Sequence, residues 1–305
     1  MKPKSTNKFA MGNLKLKNKV FLAPMHQVND IAFRLLCKKA GTSLTYTGLI
    51  NPQTRAPLNL EDKPAIQFAC NTPKGIPEFI KKNDKSVSLY DFNLGCPSPH
   101  AKQSKIGYFM INNTKAITDI LKTIRENTSK PLTIKLRKMP IQETKTILKI
   151  AEKYCDAIAI HPRTQAQGYS GEPDIEFARQ VKKLTKLPII YSGNIKTKAQ
   201  AEQSLKEFGF IMIGRASMGN PSIFSDIIKR TNKKNENDRK PIKRINFQDY
   251  LKLTKKYKLN FSQVKFQALN FTRDFPGSSK LRHKLSLAKT EKELLNILKK
   301  GINSF

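Results

Sequence analysis

Carboxylates are scarce in this 305-residue sequence: 23 Asp and Glu stand against 57 Lys and Arg, for a formal net charge of +34. A field of that size concentrates polyanions at a surface and puts nucleic acid first among candidate partners. A Lys-rich composition also follows from coding bias or a saline cytosol, so where the charge lies matters more than its sum. Cysteine is sparse as well. Cys37, Cys70, Cys96 and Cys155 lie 33, 26 and 59 residues apart, without a CxxC pair or a Cys/His cluster at zinc-ligand spacing, so neither a structural metal nor a disulfide framework is expected. Long apolar runs are missing too. None approaches the roughly 20 residues of a membrane span, and the basic start Met-Lys-Pro-Lys leads into no signal-type apolar region. The expectation is a cytoplasmic monomer that engages no membrane. No GxGxxG follows the first apolar run, so a separate dinucleotide fingerprint is absent.

What is present from Val20 onward is an alternation of short apolar runs with amphipathic helical stretches, the pattern of parallel strands joined by crossover helices. The predicted strands are Val20 to Ala23, Leu44 to Ile50, Ala65 to Ala69, Ser88 to Phe92, Leu132 to Leu136, Ala157 to Ile160, Ile189 to Ser192 and Phe210 to Ile213. Asn29 or Asp30, Thr72 and Thr114 are candidate helix caps. Eight such units fit a closed (β/α)8 TIM barrel, whose chemistry sits on the loops after the strands' carboxyl ends. An open doubly wound sheet is the alternative. The glycine signals Gly193 and Gly214, at the seventh and eighth strand ends, favour the barrel, which binds phosphate there.

Residues 1–230 are assigned to the barrel and 231–245, poor in large apolar residues, to a linker. Residues 246–305 read as a small, basic, helical C-terminal domain, with helices around Phe247 to Tyr257, Val264 to Phe271 and Leu281 to Leu287, and a Thr290/Glu293 capping box before a last one. From Lys229 to the end, 21 basic residues face 6 acidic ones. The tail is more than twice as basic per residue as the rest, the footprint of a polyanion-binding segment. Lys280, Arg282, His283 and Lys284 are candidate RNA contacts or a solvated helix face.

Polar residues collect at the strand ends: Gln67, Asn93, Cys96, Lys135, His161, Arg163, Asn194 and Arg215. The stretch Asp91 to Pro97 carries a strand into Gly95, which turns the chain and leaves Cys96 facing outward from the sheet's end. Lys135, between Ile134 and Leu136, needs an anion or polar ligand to be tolerated. Gly193 and Gly214 allow backbone N–H groups close to a phosphate, with Arg215 adding charge. One such residue is more often a satisfied core polar group than a ligand contact; eight on one rim are a site.

These residues carry a resemblance. Ala23-Pro24-Met25 with Asp30, Phe33 and Arg34, then Asn93-Leu94-Gly95-Cys96-Pro97, Lys135-Leu136-Arg137, His161-Pro162-Arg163-Thr164 with Gln167 to Gly171, Ser192 to Ile195 and Gly214 to Pro221 resemble the tRNA-dihydrouridine synthase family. The likeness runs in order over roughly residues 20 to 225, and the basic tail is similar to that family's RNA-binding region. It implies an oxidoreductase that carries FMN, takes electrons from NADPH and reduces the C5=C6 bond of uridine in tRNA. It implies Pro24 and Met25 behind the flavin, Gln67 and Lys135 on its polar edge, His161 nearby, and Gly193, Asn194, Gly214 and Arg215 at its phosphate. Asn93 and Arg163 would position the base, with Lys280 and Arg282 on the RNA, and Cys96 would be the catalytic proton donor. A thiol suits that task, because a carboxylic acid is already ionised at neutral pH.

Three positions depart from the resemblance: Gly48 where Glu is usual, Lys105 in place of a glycine after the cysteine, and Asn194 where Asp is frequent. His26 is a candidate pocket contact; His100, four residues after Cys96, invites a Cys/His nucleophile pair, but no acyl chemistry is suggested nearby, and Cys37, Cys70 and Cys155 are packing residues. A small-molecule flavin reductase barrel, acting on a pyrimidine or enoate, and a catalytically retired RNA-binding barrel are the alternatives.

Overall fold

The computed structural model describes residues 9–228, 244–273 and 277–302. Eight parallel strands form its centre: β3 (Val20–Leu22), β4 (Tyr46–Ile50), β5 (Ala65–Phe68), β6 (Leu89–Leu94), β7 (Leu132–Arg137), β8 (Ala157–His161), β9 (Ile189–Tyr191) and β10 (Gly209–Ile213). They are ordered β3-β10-β9-β8-β7-β6-β5-β4. The two ends meet: Phe21 bridges Leu44, Leu22 N donates to Leu44 O at 2.9 Å, and Ser43 N donates to Val20 O at 3.2 Å. That seam closes the sheet into a barrel and excludes the open alternative. Between and around the strands run α1 (Ile31–Lys39), α2 (Ile76–Asn83), α3 (Pro99–Gln103), α4 (Thr114–Asn127), α5 (Ile141–Tyr154), α6 (Ile175–Leu184), α7 (Lys198–Phe208) and α8 (Ile223–Ile228).

Two caps differ from expectation. The helix after β5 is capped at Gly75, with φ +83° and Pro77 in its first turn, rather than at Thr72. The cap of α4 is Asn113, whose side chain accepts from Ala116 N, one residue before Thr114.

Because strand side chains alternate, each strand divides between two cores. Phe21, Leu44, Tyr46, Leu89, Ile190, Phe210 and Met212 fill the barrel. Their neighbours Val20, Ile66, Phe92, Ile134 and Ile211 point outward to the helices. An antiparallel hairpin, β1 (Phe9–Met11) with β2 (Leu14–Leu16), sends Met11 and Leu16 into the interior cluster. Asn13 of its turn donates to Ser129 O at 3.0 Å, and Gly12 lies against Pro131 and Asp156. The hairpin therefore plugs the end where the strands begin, and the open mouth is the carboxyl end.

The C-terminal helices α9 (Phe247–Tyr257), α10 (Phe261–Phe271), α11 (Ser278–Leu287) and α12 (Glu291–Ile302) follow the expected pattern. Of the expected linker, residues 231–243 lie outside the described residues. Phe247, Tyr250, Val264, Leu281 and Leu294 belong to the same apolar cluster as Phe33 and Leu36 of α1, so the tail shares its core with the barrel. Asp30 joins them. Its Oδ1 caps α1 by accepting from Phe33 N, and its Oδ2 accepts from Tyr250 Oη, Gln263 Nε2 and Gln267 Nε2 at 3.1, 2.8 and 2.9 Å. Arg34, four residues on, forms a buried pair with Asp62 through Nε and Nη2 at 3.0 and 2.9 Å, tying down the connection between β4 and β5. Asp30 and Arg34 are thus structural fasteners.

Candidate active site

The strands bring Gln67, Asn93, Lys135 and His161 to one rim at the ends of β5, β6, β7 and β8. Register pairs Asn93 with Lys135 directly. Gln67 and Asn93, 1% and 6% exposed, are joined by Asn93 Nδ2 donating to Gln67 Oε1 at 2.9 Å. Asn93 Oδ1 accepts from Cys96 N at 2.9 Å and from Gly95 N at 3.2 Å. Cys96 is half-buried, whereas Cys37, Cys70 and Cys155 are buried. Its Sγ lies 3.4 Å from Ser98 Oγ.

Glycines shape the turn around this thiol. At Gly95 a Cβ would press on the Leu136 carbonyl carbon at 3.3 Å, and at Gly107, with φ +62°, it would meet Cys96 O at 2.9 Å and Asn93 Oδ1 at 3.1 Å. Gly107 is therefore the glycine that the cysteine turn requires. Lys105 is exposed and holds φ +51°, the region where glycine is at ease. Its solvent-facing side chain accounts for the substitution being tolerated there. Gly48 packs against His26, with a Cβ position 3.2 Å from His26 Cα, so any side chain there must move the Met25–His26 segment.

Lys135 carries the site's least satisfied charge. Its ammonium has neither a hydrogen bond nor an ion pair among the described residues, and burial with the neighbouring Arg137 pulls its pKa down to about 8, against the attraction of Asp91 and Cys96. His161 is pushed down to about 2 by burial and by Lys135, Arg137, Arg163 and Arg215. It is a neutral imidazole whose Nε2, 3.0 Å from Arg163 Nη1, accepts. His161 can offer one hydrogen bond from Nδ1 but no imidazolium proton.

On the other side of the rim, Arg163 is 1% exposed and its donors reach Ser170 O, Gly171 O and Asn194 Oδ1 at 2.7 to 3.1 Å. It holds the loop after β8 against the loop after β9. Asn194, at φ +47°, a conformation that asparagine tolerates, also accepts weakly from Arg215 Nη2 at 3.4 Å and donates from Nδ2 to Glu172 Oε2 at 2.7 Å. An aspartate would set two carboxylates face to face, so Asn194 is matched to Glu172. Exposed Tyr169 lies between Arg137 and Arg215, their guanidinium carbons 5.4 and 5.1 Å from its ring centre. Pro24 and Met25 are half-buried; Gly214 lies against Met25, a Cβ there being 3.7 Å from Met25 Sδ. At Gly193 a Cβ would strike Tyr191 Oη at 2.7 Å. Lys280 and Arg282 lie on α11, exposed and half-buried, away from this rim in sequence and structure element.

Asp91 is the residue that sequence reasoning passed over. It is fully buried inside the barrel, accepting from Thr133 Oγ1 at 2.5 Å and Gln67 Nε2 at 2.6 Å. Its period-2 relation to Asn93 was the available signal. Desolvation pushes its carboxyl up to about 7, opposed by hydrogen bonds from Thr133 and Gln67 and by Lys135. The other titratable groups facing it are Tyr46 and Cys155, both held protonated by burial and by its charge.

Because the folded pKa lies above the unfolded one, the native state binds the extra proton. The stability this contributes is complete below about pH 4 and is lost as pH rises to about 7. Asp91→Asn removes that loss. Relative to wild type it should gain stability progressively from pH 4 to pH 7, by up to about 4 kcal/mol, and stay level above. Urea melts across this range measure the gap; a gap independent of pH would show that Asp91 already titrates normally in the folded protein.

A closed eight-stranded barrel with a cationic rim, Met25 beside Gly214 and glycines after β9 and β10 has the architecture of a barrel enzyme that can hold an anionic ligand at its open mouth. Histamine dehydrogenase from Rhizobium sp. 4-9 shares this fold with a TM-score of 0.57 at 10% identity, over 73% of this chain and 47% of that one. Sequence narrows the class. The model of the family described as dihydrouridine synthase matches residues 21–304. A protein named probable tRNA-dihydrouridine synthase from Rickettsia conorii is 30% identical over 71% of each chain. The tRNA-dihydrouridine synthase B of Xanthomonas axonopodis pv. citri is 31% identical over the same shares. The chain belongs to the dihydrouridine synthase family.

Proposed function

We propose that this protein is a tRNA-dihydrouridine synthase that uses FMN, reduced by NADPH, to saturate the C5=C6 bond of particular uridines in tRNA. The observation that carries the reading is a half-buried thiol, Cys96, electrostatically coupled to the Lys135 ammonium, which has no hydrogen-bond or ion-pair partner among the described residues, on the rim of a barrel in this family.

The residues present fit the flavin. The orphaned Lys135 ammonium and Gln67 suit its polar ring edge, and Pro24 with Met25 its apolar back. Gly193, Asn194, Gly214 and Arg215 suit its phosphate, where glycine leaves backbone N–H groups approachable. When bound and reduced, FMN supplies the hydride that goes to C6 of the base. The chain supplies the rest. Cys96 gives a proton to C5, and the thiolate left behind is attracted by the Lys135 ammonium, the reciprocal of the charge coupling between the two. Neutral His161 orients by hydrogen bonding without competing as an acid. Asn93 reads the base edge, while Arg163 serves the base indirectly by holding the loops after β8 and β9.

A uridine inside folded RNA must be flipped out to reach this rim, at a cost of a few kcal/mol. Phosphate contacts from the basic tail, Lys280 and Arg282 among them, offset that cost and make binding weaken with salt. The test is mass spectrometry of tRNA from the source organism with and without the gene. Dihydrouridine should vanish from one or more positions and return when purified protein, NADPH and the deficient tRNA are combined. No loss at any position, or turnover of free uracil at rates matching tRNA, would overturn the proposal.

A further inference from the structure

One directed run of hydrogen bonds crosses the barrel beneath the rim. Thr133 Oγ1 donates to Asp91 Oδ1, Gln67 Nε2 to Asp91 Oδ2, Asn93 Nδ2 to Gln67 Oε1, and the amides of Gly95 and Cys96 to Asn93 Oδ1. Its ends fix its direction. Above about pH 7, where Asp91 is ionised, its carboxylate only accepts, and backbone N–H groups only donate. Between them each carboxamide has one orientation that satisfies both neighbours: Gln67 turns its nitrogen to Asp91, which leaves its oxygen for Asn93, which in turn leaves the Asn93 oxygen for the cysteine turn. Reversing either amide sets oxygen against oxygen at one end and N–H against N–H at the other. The far side of the turn is held as well, since Tyr108 N donates to Cys96 O at 3.1 Å and Gly107 packs on that same peptide.

We infer that Asp91 is a positioning residue: through Gln67 and Asn93 it sets the Gly95–Cys96 turn, and with it the direction from which the Cys96 thiol meets the base. The inference rests on the reading of Cys96 as proton donor. It accounts for a carboxylate kept fully buried inside the barrel despite the cost of burying it. It also separates two amides that look alike on the rim. Gln67 is a link that spends one N–H on Asp91 and one oxygen lone pair on Asn93, keeping the second of each for the ring edge, and Asn93 is the link that touches the turn.

Two substitutions at one position separate this from a packing role. Asp91→Leu removes the acceptor, freeing Gln67 to reverse. Asp91→Asn keeps an acceptor for Gln67 if its nitrogen turns to the Thr133 hydroxyl, which can accept. The primary readout is iodoacetamide labelling of Cys96, followed by peptide mass spectrometry on folded, flavin-loaded protein; Cys37, Cys70 and Cys155 are buried internal controls. Asp91→Leu should label Cys96 about 5-fold faster or more. It should also slow uridine reduction about 10- to 100-fold while flavin reduction by NADPH stays within about 2-fold. Asp91→Asn should return both within about 3-fold of wild type.

Unchanged Cys96 labelling in Asp91→Leu, with only a lower melting temperature, overturns the inference; so does failure of Asp91→Asn to restore. If Asp91→Leu does not fold, Gln67→Met breaks the run one link further on, and the labelling rate alone decides, faster supporting and unchanged overturning. Should the wild-type protein reduce no uridine in tRNA, the proposed function falls, while the labelling comparison still decides whether Asp91 governs the turn.

Discussion

Cys96→Ala is expected to leave flavin reduction by NADPH within about 2-fold of wild type and to lower uridine reduction by about 10²- to 10⁴-fold, the usual worth of a positioned general acid. The asymmetry follows from the site. Hydride delivery to the flavin needs no proton at C5 of a base. Uridine reduction needs one, and the rim offers few sources: His161 is held neutral by burial and four surrounding cations. Lys135 is an ammonium near neutrality, but it sits on the strand rather than on the turn that Gly95 and Gly107 shape around the thiol. The substitution removes only Sγ and its contact with Ser98 Oγ, leaving the backbone bonds of the turn to Asn93 and Tyr108 intact. Stopped-flow bleaching of the flavin measures the first half-reaction, and reoxidation by tRNA the second. Equal loss in both would make Cys96 a structural residue.

The barrel was legible because parallel strands covered on both faces read as short, nearly continuous apolar runs, each ended by a glycine or a polar residue. The strand ends therefore announced Gln67, Asn93, Lys135 and His161 together. The plugging hairpin was not legible: its strands are three residues each, too short for any period to show, and their placement depends on distant partners at Ser129 and Pro131. Asp91 was hidden for a related reason. Its alternation marks it as inward-facing, but only the fold shows that inward there means beneath Gln67, with Thr133 from the next strand as a second donor.

Arg163 illustrates the limit in the other direction. Its residue type suggests a contact with a charged or polar ligand, and its place at a strand end was readable. What its guanidinium faces depends on how residues 168–171 fold back, presenting the carbonyls of Ser170 and Gly171. Carbonyl directions are set by backbone torsions, which side-chain identity does not encode except at glycines. The same holds for Asp30. A cap was visible in sequence, whereas three donors arriving from helices more than 200 residues away were not.

The second large effect is expected at Gly219→Ala, in the loop after β10 that also carries Arg215. Gly219 has φ +70°, and a Cβ there would lie 2.0 Å from Asn270 O, 2.4 Å from Asn270 C and 2.8 Å from Phe271 N. The obstacle is backbone in the last turn of α10, which cannot swing aside like a side chain. Neither partner is free to yield. α10 is anchored through Gln263 to Gln27 O and through Gln267 to Val28 O, with both amides also on Asp30. The loop is knotted locally by Ser217 Oγ donating to Gly214 O and Asn220 N to Ser217 O. Left-handed backbone for alanine costs about 1 kcal/mol and the collision about 1–3 kcal/mol more, so the melting temperature should fall by about 3–6 °C. Gly168→Ala is the control: φ is +53°, and nothing lies within 4 Å of its Cβ position, so only the backbone cost applies. Its melting temperature should fall by less than about 2 °C. Equal losses in the two variants would mean that α10 does not press on this loop. The unequal loss expected here ties the basic helices mechanically to the loop bearing Arg215, so seating of the tail and order in that loop should fail together.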